Sequence, residues 1–280
     1  MPSPLLAPHV QAFFAEYLSQ QRRLSPQTIM SFRDTFRLLL MFLRDQTGVE
    51  PSALRLADVD APVVLSFLTY LEQERGNSVR SRNIRLSALR SFFRLVALRD
   101  PDSIGVVTRV LAIPMKRQDR KLIGYLTRTE IQALLATPDS SQWSGRRDYA
   151  LLLTLYNSGA RVSEITALRR QQACFGASTF LQLIGKGRKE RGIPLWPETA
   201  RVLKAWFAEL GEDAGPIAFP NARGKALSRE GVDYVLQQAV QRALPACPSL
   251  ATKHITPHVI RHSTAMPLLQ AGVDIATIAL

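Results

Sequence analysis

Thr179-Phe180-Leu181-Gln182-Leu183-Ile184-Gly185-Lys186-Gly187-Arg188-Lys189-Glu190-Arg191-Gly192-Ile193-Pro194-Leu195 is the one clear β segment in a chain that otherwise reads as helical. Thr179 to Ile184 reads as a strand, Gly185 to Lys189 as a turn and Glu190 to Leu195 as the returning strand. Two glycines flanking Lys186 let the backbone turn sharply and push the ammonium outward, with Arg188 and Lys189 beside it. Pro197 closes the hairpin, and helices resume at Thr199. The fold class is therefore mainly α with a small β hairpin, an α+β domain.

Moving outward from the hairpin, each side carries a second basic island. Upstream stands Asn157-Ser158-Gly159-Ala160-Arg161-Val162-Ser163-Glu164. A helix from Arg147 to Tyr156 ends at Gly159, a favourable left-handed cap. Arg161 follows in the tight link to the next short helix, and an ordinary surface pairing with Glu164 would account for it taken singly. Downstream stands Thr256-Pro257-His258-Val259-Ile260-Arg261-His262-Ser263. Thr256 is a good N-cap and Pro257 a good first helical residue. His258, Arg261 and His262 then share one face in the first turns, where free N–H groups and the helix dipole favour an anion. A metal site on His258 and His262 is not expected, because no glutamate lies between them and no third ligand is at hand. Farther upstream, Thr127 and Glu130 form a capping box that opens the helical part of this region.

The first hundred residues read as a bundle of four or so short helices. Ser25-Pro26 opens one that runs to about Arg44, with apolar residues from Ile29 to Leu43 recurring mostly at helical spacing. Asp60-Ala61-Pro62 opens a second, Val63 to Glu74, and Gly76-Asn77-Ser78 ends it and caps a third, Val79 to Leu98. From Arg75 to Arg99 there are seven arginines and no acid. Arg80, Arg90 and Arg94 fall on one face, while Arg82 and Arg85 project on the apolar side. A solvated helix face usually interleaves acids, so Arg80, Arg90 and Arg94 are candidates for phosphate contact. The pattern weakens from Asp100 to Lys121, which reads as a basic inter-domain linker.

Composition narrows the partner. The 280 residues carry 36 Lys plus Arg against 23 Asp plus Glu, a net charge of +13, with 46% hydrophobic and 21% charged residues. That surplus favours a polyanion, nucleic acid first and an acidic membrane surface second. No apolar run approaches the roughly 20 residues that cross a bilayer, and the N-terminus lacks a signal-peptide pattern. Cys174 and Cys247 stand far apart, which predicts free thiols in a reducing cytoplasm and no structural zinc.

Together the three islands resemble the tyrosine recombinase, or phage integrase, family. The resemblance rests on Gly159-Ala160-Arg161-Val162-Ser163-Glu164, on Gly185-Lys186-Gly187 and on His258-Val259-Ile260-Arg261, in the family's order and spacing, with Leu268 to Asp274 similar to the segment that follows. It implies a helical core-binding (SAM-like) DNA-binding domain over 1–105, a basic linker over 106–122 and a catalytic domain over 123–280, closing as a clamp around duplex DNA.

The implied chemistry is site-specific cutting and rejoining of DNA through a 3′-phosphotyrosine, with no cofactor and no metal. Arg161 and Arg261 would brace the charge that develops on the phosphate. Lys186 would protonate the leaving 5′-oxygen, and His258 would assist proton transfer or hydrogen-bond the phosphate. Glu164 and His262 would support the site, and Arg188 and Lys189 would join the DNA contacts. One departure stands out. In the family a Gly-His or Gly-Trp and then the nucleophilic tyrosine follow the place of Leu280. The six tyrosines here, Tyr17, Tyr70, Tyr125, Tyr149, Tyr156 and Tyr234, all precede His258. The expectation is a truncated enzyme, monomeric off DNA and tetrameric on DNA only when intact, which binds a specific recombination site without cutting it. The alternative is a non-catalytic DNA-binding relative acting as a regulator; a type IB topoisomerase and a basic helical protein without a site are more distant rivals.

Overall fold

The computed structural model describes residues 3–118, 124–185, 190–212 and 215–274. The chain divides into two compact units, Met1–Arg120 and Lys121–Leu280.

In the first unit, helix α1 (Leu6–Ala12) runs directly into a π-helical stretch, Phe13–Gln21. Helix α2 (Pro26–Thr47) begins where the Ser25 hydroxyl accepts the Thr28 N–H, and it stops at Gly48, whose φ of 67° is a left-handed cap. Asp60 caps α3 (Ala61–Gln73), and Ser78 caps α4 (Val79–Arg99) by accepting the Ser81 N–H. The core is aromatic at its centre. Phe13, fully buried, lies 5.8 Å from Phe36 and 5.5 Å from Phe92, and Phe36 lies 5.2 Å from Phe92, in tilted and edge-on geometries that suit aromatic quadrupoles.

The expected linker over 106–122 is corrected in its first half. Helix α5 (Ile104–Ala112) folds back onto α4 and buries Val107, Val110 and the following Ile113 in the first unit's core. No side chain caps its start, and Gly105 sits in its first turn. So short a helix is marginal alone, and its stability comes from packing.

The second unit is built around α7 (Trp143–Ser158). Ala150 through Leu155 are all buried, as befits a helix covered on every side. Around it stand α6 (Arg128–Leu135), α8 (Val162–Thr166), α9 (Pro197–Leu210), α10 (Arg229–Ala243) and α11 (Pro257–Gln270). The hairpin forms as strands β2 (Thr179–Ile184) and β3 (Glu190–Pro194), and a short strand not expected from the sequence, β1 (Ala173–Phe175), pairs antiparallel with β2. Pro197 begins α9 instead of only closing the hairpin, because a proline lacks the N–H that a first helical residue leaves unbonded anyway. The register sets Leu181 opposite Ile193 and Leu183 opposite Arg191, so all four share the inward face.

Candidate functional site

Gly159 is the joint on which the site hangs. It ends α7 in the left-handed conformation, φ 55°, where a side chain would be strained and a Cβ would come to 3.5 Å of Thr264 on α11. Thr264 in turn donates its hydroxyl to the Tyr156 carbonyl at 2.5 Å. Nearby, the Ser263 hydroxyl accepts the Leu126 N–H at 2.8 Å and donates to the Val259 carbonyl. The Asn157 side chain donates to the Pro194 carbonyl and accepts the Trp196 N–H at 2.9 Å, tying α7 to the end of β3. Helices α7 and α11 and the hairpin are thus fixed to one another by hydrogen bonds a few residues from Arg161, His258 and Arg261.

Two residues past Gly159, Arg161 caps α8. The buried carboxylate of Glu164 accepts its backbone N–H at 2.8 Å and its guanidinium at 3.2 Å. The pairing with Glu164 is real, but Glu164's stronger partner comes from β3. Arg191 donates to both oxygens, Nη1 to Oε1 at 3.1 Å and Nη2 to Oε2 at 2.6 Å, a two-pronged geometry that suits a guanidinium. Burial pushes the Glu164 carboxyl up, yet the Arg191 bonds, the Arg161 N–H, the Arg191 charge and the Arg161 side-chain bond outweigh it, and the group stays below its ordinary value. Arg161 keeps 48% of its side chain exposed, so a guanidinium held at its base still faces outward.

On α11, Thr256 accepts the Val259 N–H and Pro257 takes the first helical position, as the sequence predicts. Arg261 reaches back to donate to the Gly159 carbonyl. Burial holds Arg261 below the ordinary arginine value, the charges of Arg161 and Arg191 lower it further, and Glu164 opposes them. The four groups therefore form one electrostatic unit: three guanidinium groups and one carboxylate, a surplus of two positive charges. Such a surplus, built from rigid elements, is suited to a phosphate.

His258, in the first turn of α11, is exposed, and its ring meets that of His262 edge-on at 4.7 Å. The Nε2 of His262 is buried without a protein partner. Burial first, then the charges of His258 and Arg261, hold His262 below the ordinary imidazole value. Lys186, Arg188 and Lys189 lie outside the described residues; β2 and β3 pair as far as Ile184 and Glu190. Among the described residues no group of His, Cys, Asp and Glu could hold a metal ion.

In the first unit, Arg80 and Arg94 are exposed on α4, but Arg90 is used by the fold. Its guanidinium donates to the Leu111 and Ile113 carbonyls, both at 2.7 Å, and so caps the C-terminus of α5. Arg90 thus has a helix-capping role that the sequence reading of it as a phosphate contact did not include. Sequence reasoning also missed Arg191. The signal was present in the strand's period of two, which puts Arg191 on the same face as Ile193.

Two family models match the chain: the phage integrase family over residues 124–280 and the phage integrase N-terminal SAM-like domain over residues 12–99. The chain is 50% identical over 275 residues to a Sinorhizobium fredii protein named as an integrase/recombinase, y4rC, covering 98% of this chain and 83% of that one. It is 32% identical over 268 residues to the tyrosine recombinase XerC of Pelobacter propionicus, covering 95% and 83%. Among solved structures, the Tn1549 transposon integrase in complex with a circular intermediate DNA matches with a TM-score of 0.72 at 14% identity, covering 99% and 90%. XerH site-specific recombinase bound to its difH substrate matches at 0.69 and 20%, covering 89% and 70%, which is a likeness of fold. Among the described residues no helix is long and apolar enough to cross a membrane. The catalytic-family match spans more than half of the chain and agrees with a fold reached independently from the hairpin and the caps: the protein belongs to the phage integrase family of tyrosine recombinases.

Proposed function

We propose that this chain is the DNA-binding and phosphate-activating body of a site-specific recombinase, and that Arg161 and Arg261 grip the scissile phosphate. The observation that carries this reading is the Arg161–Arg191–Arg261 cluster around one buried carboxylate, which leaves uncompensated positive charge on a rigid base. In the reaction a tyrosine hydroxyl attacks the phosphorus, the P–O bond to the 5′-oxygen breaks, and that oxygen leaves with a proton. The phosphodiester energy is kept in the phosphotyrosine, so rejoining is the same step reversed. Arg161 and Arg261 stabilise charge on the non-bridging oxygens. Lys186 supplies the proton to the leaving oxygen, and His258 serves proton transfer at the nucleophile. Glu164 and Arg191 position Arg161, and His262 packs behind His258. Arg80, Arg94, Arg188 and Lys189 contribute phosphate contacts along the duplex.

None of the six tyrosines within residues 1–280 stands in the nucleophile's place after α11. A polypeptide of these residues therefore binds duplex DNA without cutting it, and it is mainly monomeric off DNA; with the nucleophile present, the working assembly is a homo-tetramer on DNA. The test is a duplex-binding titration paired with denaturing electrophoresis. Salt-dependent binding without a detergent-resistant protein–DNA adduct is expected. A covalent adduct, or no salt-dependent binding, would sink this reading. In an enzyme carrying the nucleophile, Arg161→Ala should abolish covalent cleavage while duplex affinity stays nearly unchanged, since many other phosphate contacts remain.

A further inference from the structure

Only Gly159 and Ala160 separate α7, which ends at Ser158, from Arg161, the residue that caps α8. A glycine tolerates a wide range of backbone angles, so bonds that cross this joint add a constraint its own backbone lacks. Strand β3 supplies such bonds at both of its ends. At its start, Arg191 holds Glu164, on the α8 side, through contacts of 3.1 and 2.6 Å. At its other end, Asn157, on the α7 side, donates Nδ2 to the Pro194 carbonyl at 3.2 Å and accepts the Trp196 N–H at 2.9 Å. Between these anchors the strand is stiff, because every residue from Glu190 to Pro194 pairs with β2, from Ile184 back to Phe180. Asn157 is informative in itself. It is 6% exposed in a helix whose residues from Ala150 to Leu155 are buried, and asparagine is a weak helix former. A buried amide calls for hydrogen-bond partners, and both of those it has belong to the end of β3 and the residue that follows Leu195.

We propose that β3 is a splint across the Gly159 joint and that Asn157 is a positioning residue, which acts through the strand to set where Arg161 stands relative to Arg261 at the scissile phosphate. The two anchored residues bracket the joint, Asn157 two positions before Gly159 and Glu164 five after it. Arg261 bonds to the Gly159 carbonyl between them. The strand thus spans the segment that holds one arginine and receives the other. This assignment rests on the reading of Arg161 and Arg261 as the phosphate grip. It adds to that grip a residue whose side-chain hydrogen bonds go to neither arginine.

The test starts from the 280-residue chain with isotope-labelled arginine, in which the Nε–H signals of Arg161, Arg191 and Arg261 are followed by NMR. Asn157→Leu removes both anchoring bonds, whereas Asn157→Asp keeps the Trp196 bond and loses the one to Pro194. Both variants should displace the Arg161 and Arg191 signals, Asn157→Leu the more. Should Asn157→Leu fold poorly by thermal melting, Asn157→Asp carries the test. In an enzyme with its nucleophile, Asn157→Asp should slow formation of the covalent adduct by about tenfold, with duplex affinity within about twofold of wild type. A role confined to stability would lower the melting temperature and leave the arginine signals and the cleavage rate of the folded fraction unchanged; that result overturns the inference. Displaced arginine signals with wild-type cleavage would instead leave the splint standing and take Arg161 off the scissile phosphate, a failure of the proposed function that is distinct from a failure of the strand's role.

Discussion

The arginines of α4 and those around Glu164 look alike in the sequence and behave differently in the structure. On α4 most of the inward-facing positive charge is absorbed: Arg82 by Glu72 and carbonyl oxygen, Arg90 by the last carbonyls of α5. Around Glu164 one carboxylate serves two arginines while a third, Arg261, is held by a single carbonyl. The Arg90 guanidinium spends one nitrogen on two helix-end carbonyls and caps α5, whereas Arg261 gives a single bond to one carbonyl and sits beside two further arginines. Guanidinium groups that outnumber their carboxylates keep charge for a ligand. Counting donors against acceptors, rather than plotting charge on a helical wheel, separates the two cases.

The strongest way to break this comparison is Arg191→Ala. It strips the buried Glu164 of its bidentate partner and should destabilise the second unit by about 3 to 5 kcal/mol, the range for unpairing a buried ion pair. A melting temperature within a degree or two of wild type would show that Arg191 is a surface residue in practice.

Glu130 offers a sharper variant of the same idea. Burial raises its carboxyl, but Lys253, Ser249 and the Thr127 N–H bring it down to about 2. Because the folded value lies below the ordinary 4.5, its stabilisation is complete above about pH 5 and fades as pH falls toward 2. The loss is about 3 kcal/mol at most, and Glu130→Gln should flatten that part of the stability–pH curve. An unchanged curve in Glu130→Gln would assign the acid sensitivity to other carboxylates.

Arg90→Met tests the other side of the comparison. It keeps the aliphatic stem and removes two bonds to carbonyls, so a loss of about 1 to 2 kcal/mol is expected with duplex affinity unchanged. Weakened DNA binding at unchanged stability would restore Arg90 to the phosphate contacts. The smallest expected effect on stability is that of Arg161→Gln, under about 1 kcal/mol, because the pair it breaks is half exposed. In an enzyme with its nucleophile, the same substitution should nonetheless be among the most damaging to cleavage.

What the sequence made legible follows from where the information sits. Ser25, Thr127 with Glu130, and Thr256 with Pro257 act on N–H groups two or three residues away, so a short window contains the whole cause. The hairpin was legible for the same reason, through its alternation and its glycines. Helix α5 and strand β1 were not, because nine and three residues carry too little local preference and their stability comes from partners far along the chain. Among the candidate side chains, the places of Arg161, Arg261 and His258 at the starts of their helices were readable from caps and spacing. Arg191 needed the pairing of β2 with β3 to show which way it points, and the fate of Arg90 depended on carbonyls more than 20 residues away.

One short stretch of backbone links the two arginines proposed to grip the phosphate. Arg261 is bonded to the carbonyl of Gly159, and Arg161 stands two residues farther along the same backbone. The span between the two cations therefore depends on a segment of a few residues, together with the Glu164–Arg191 pair that holds Arg161. Both charges are anchored to one short stretch of backbone, as two jaws mounted on one pin. Substituting Gly159 would disturb that pin, and with it the calibration of the jaws, before it disturbed anything else.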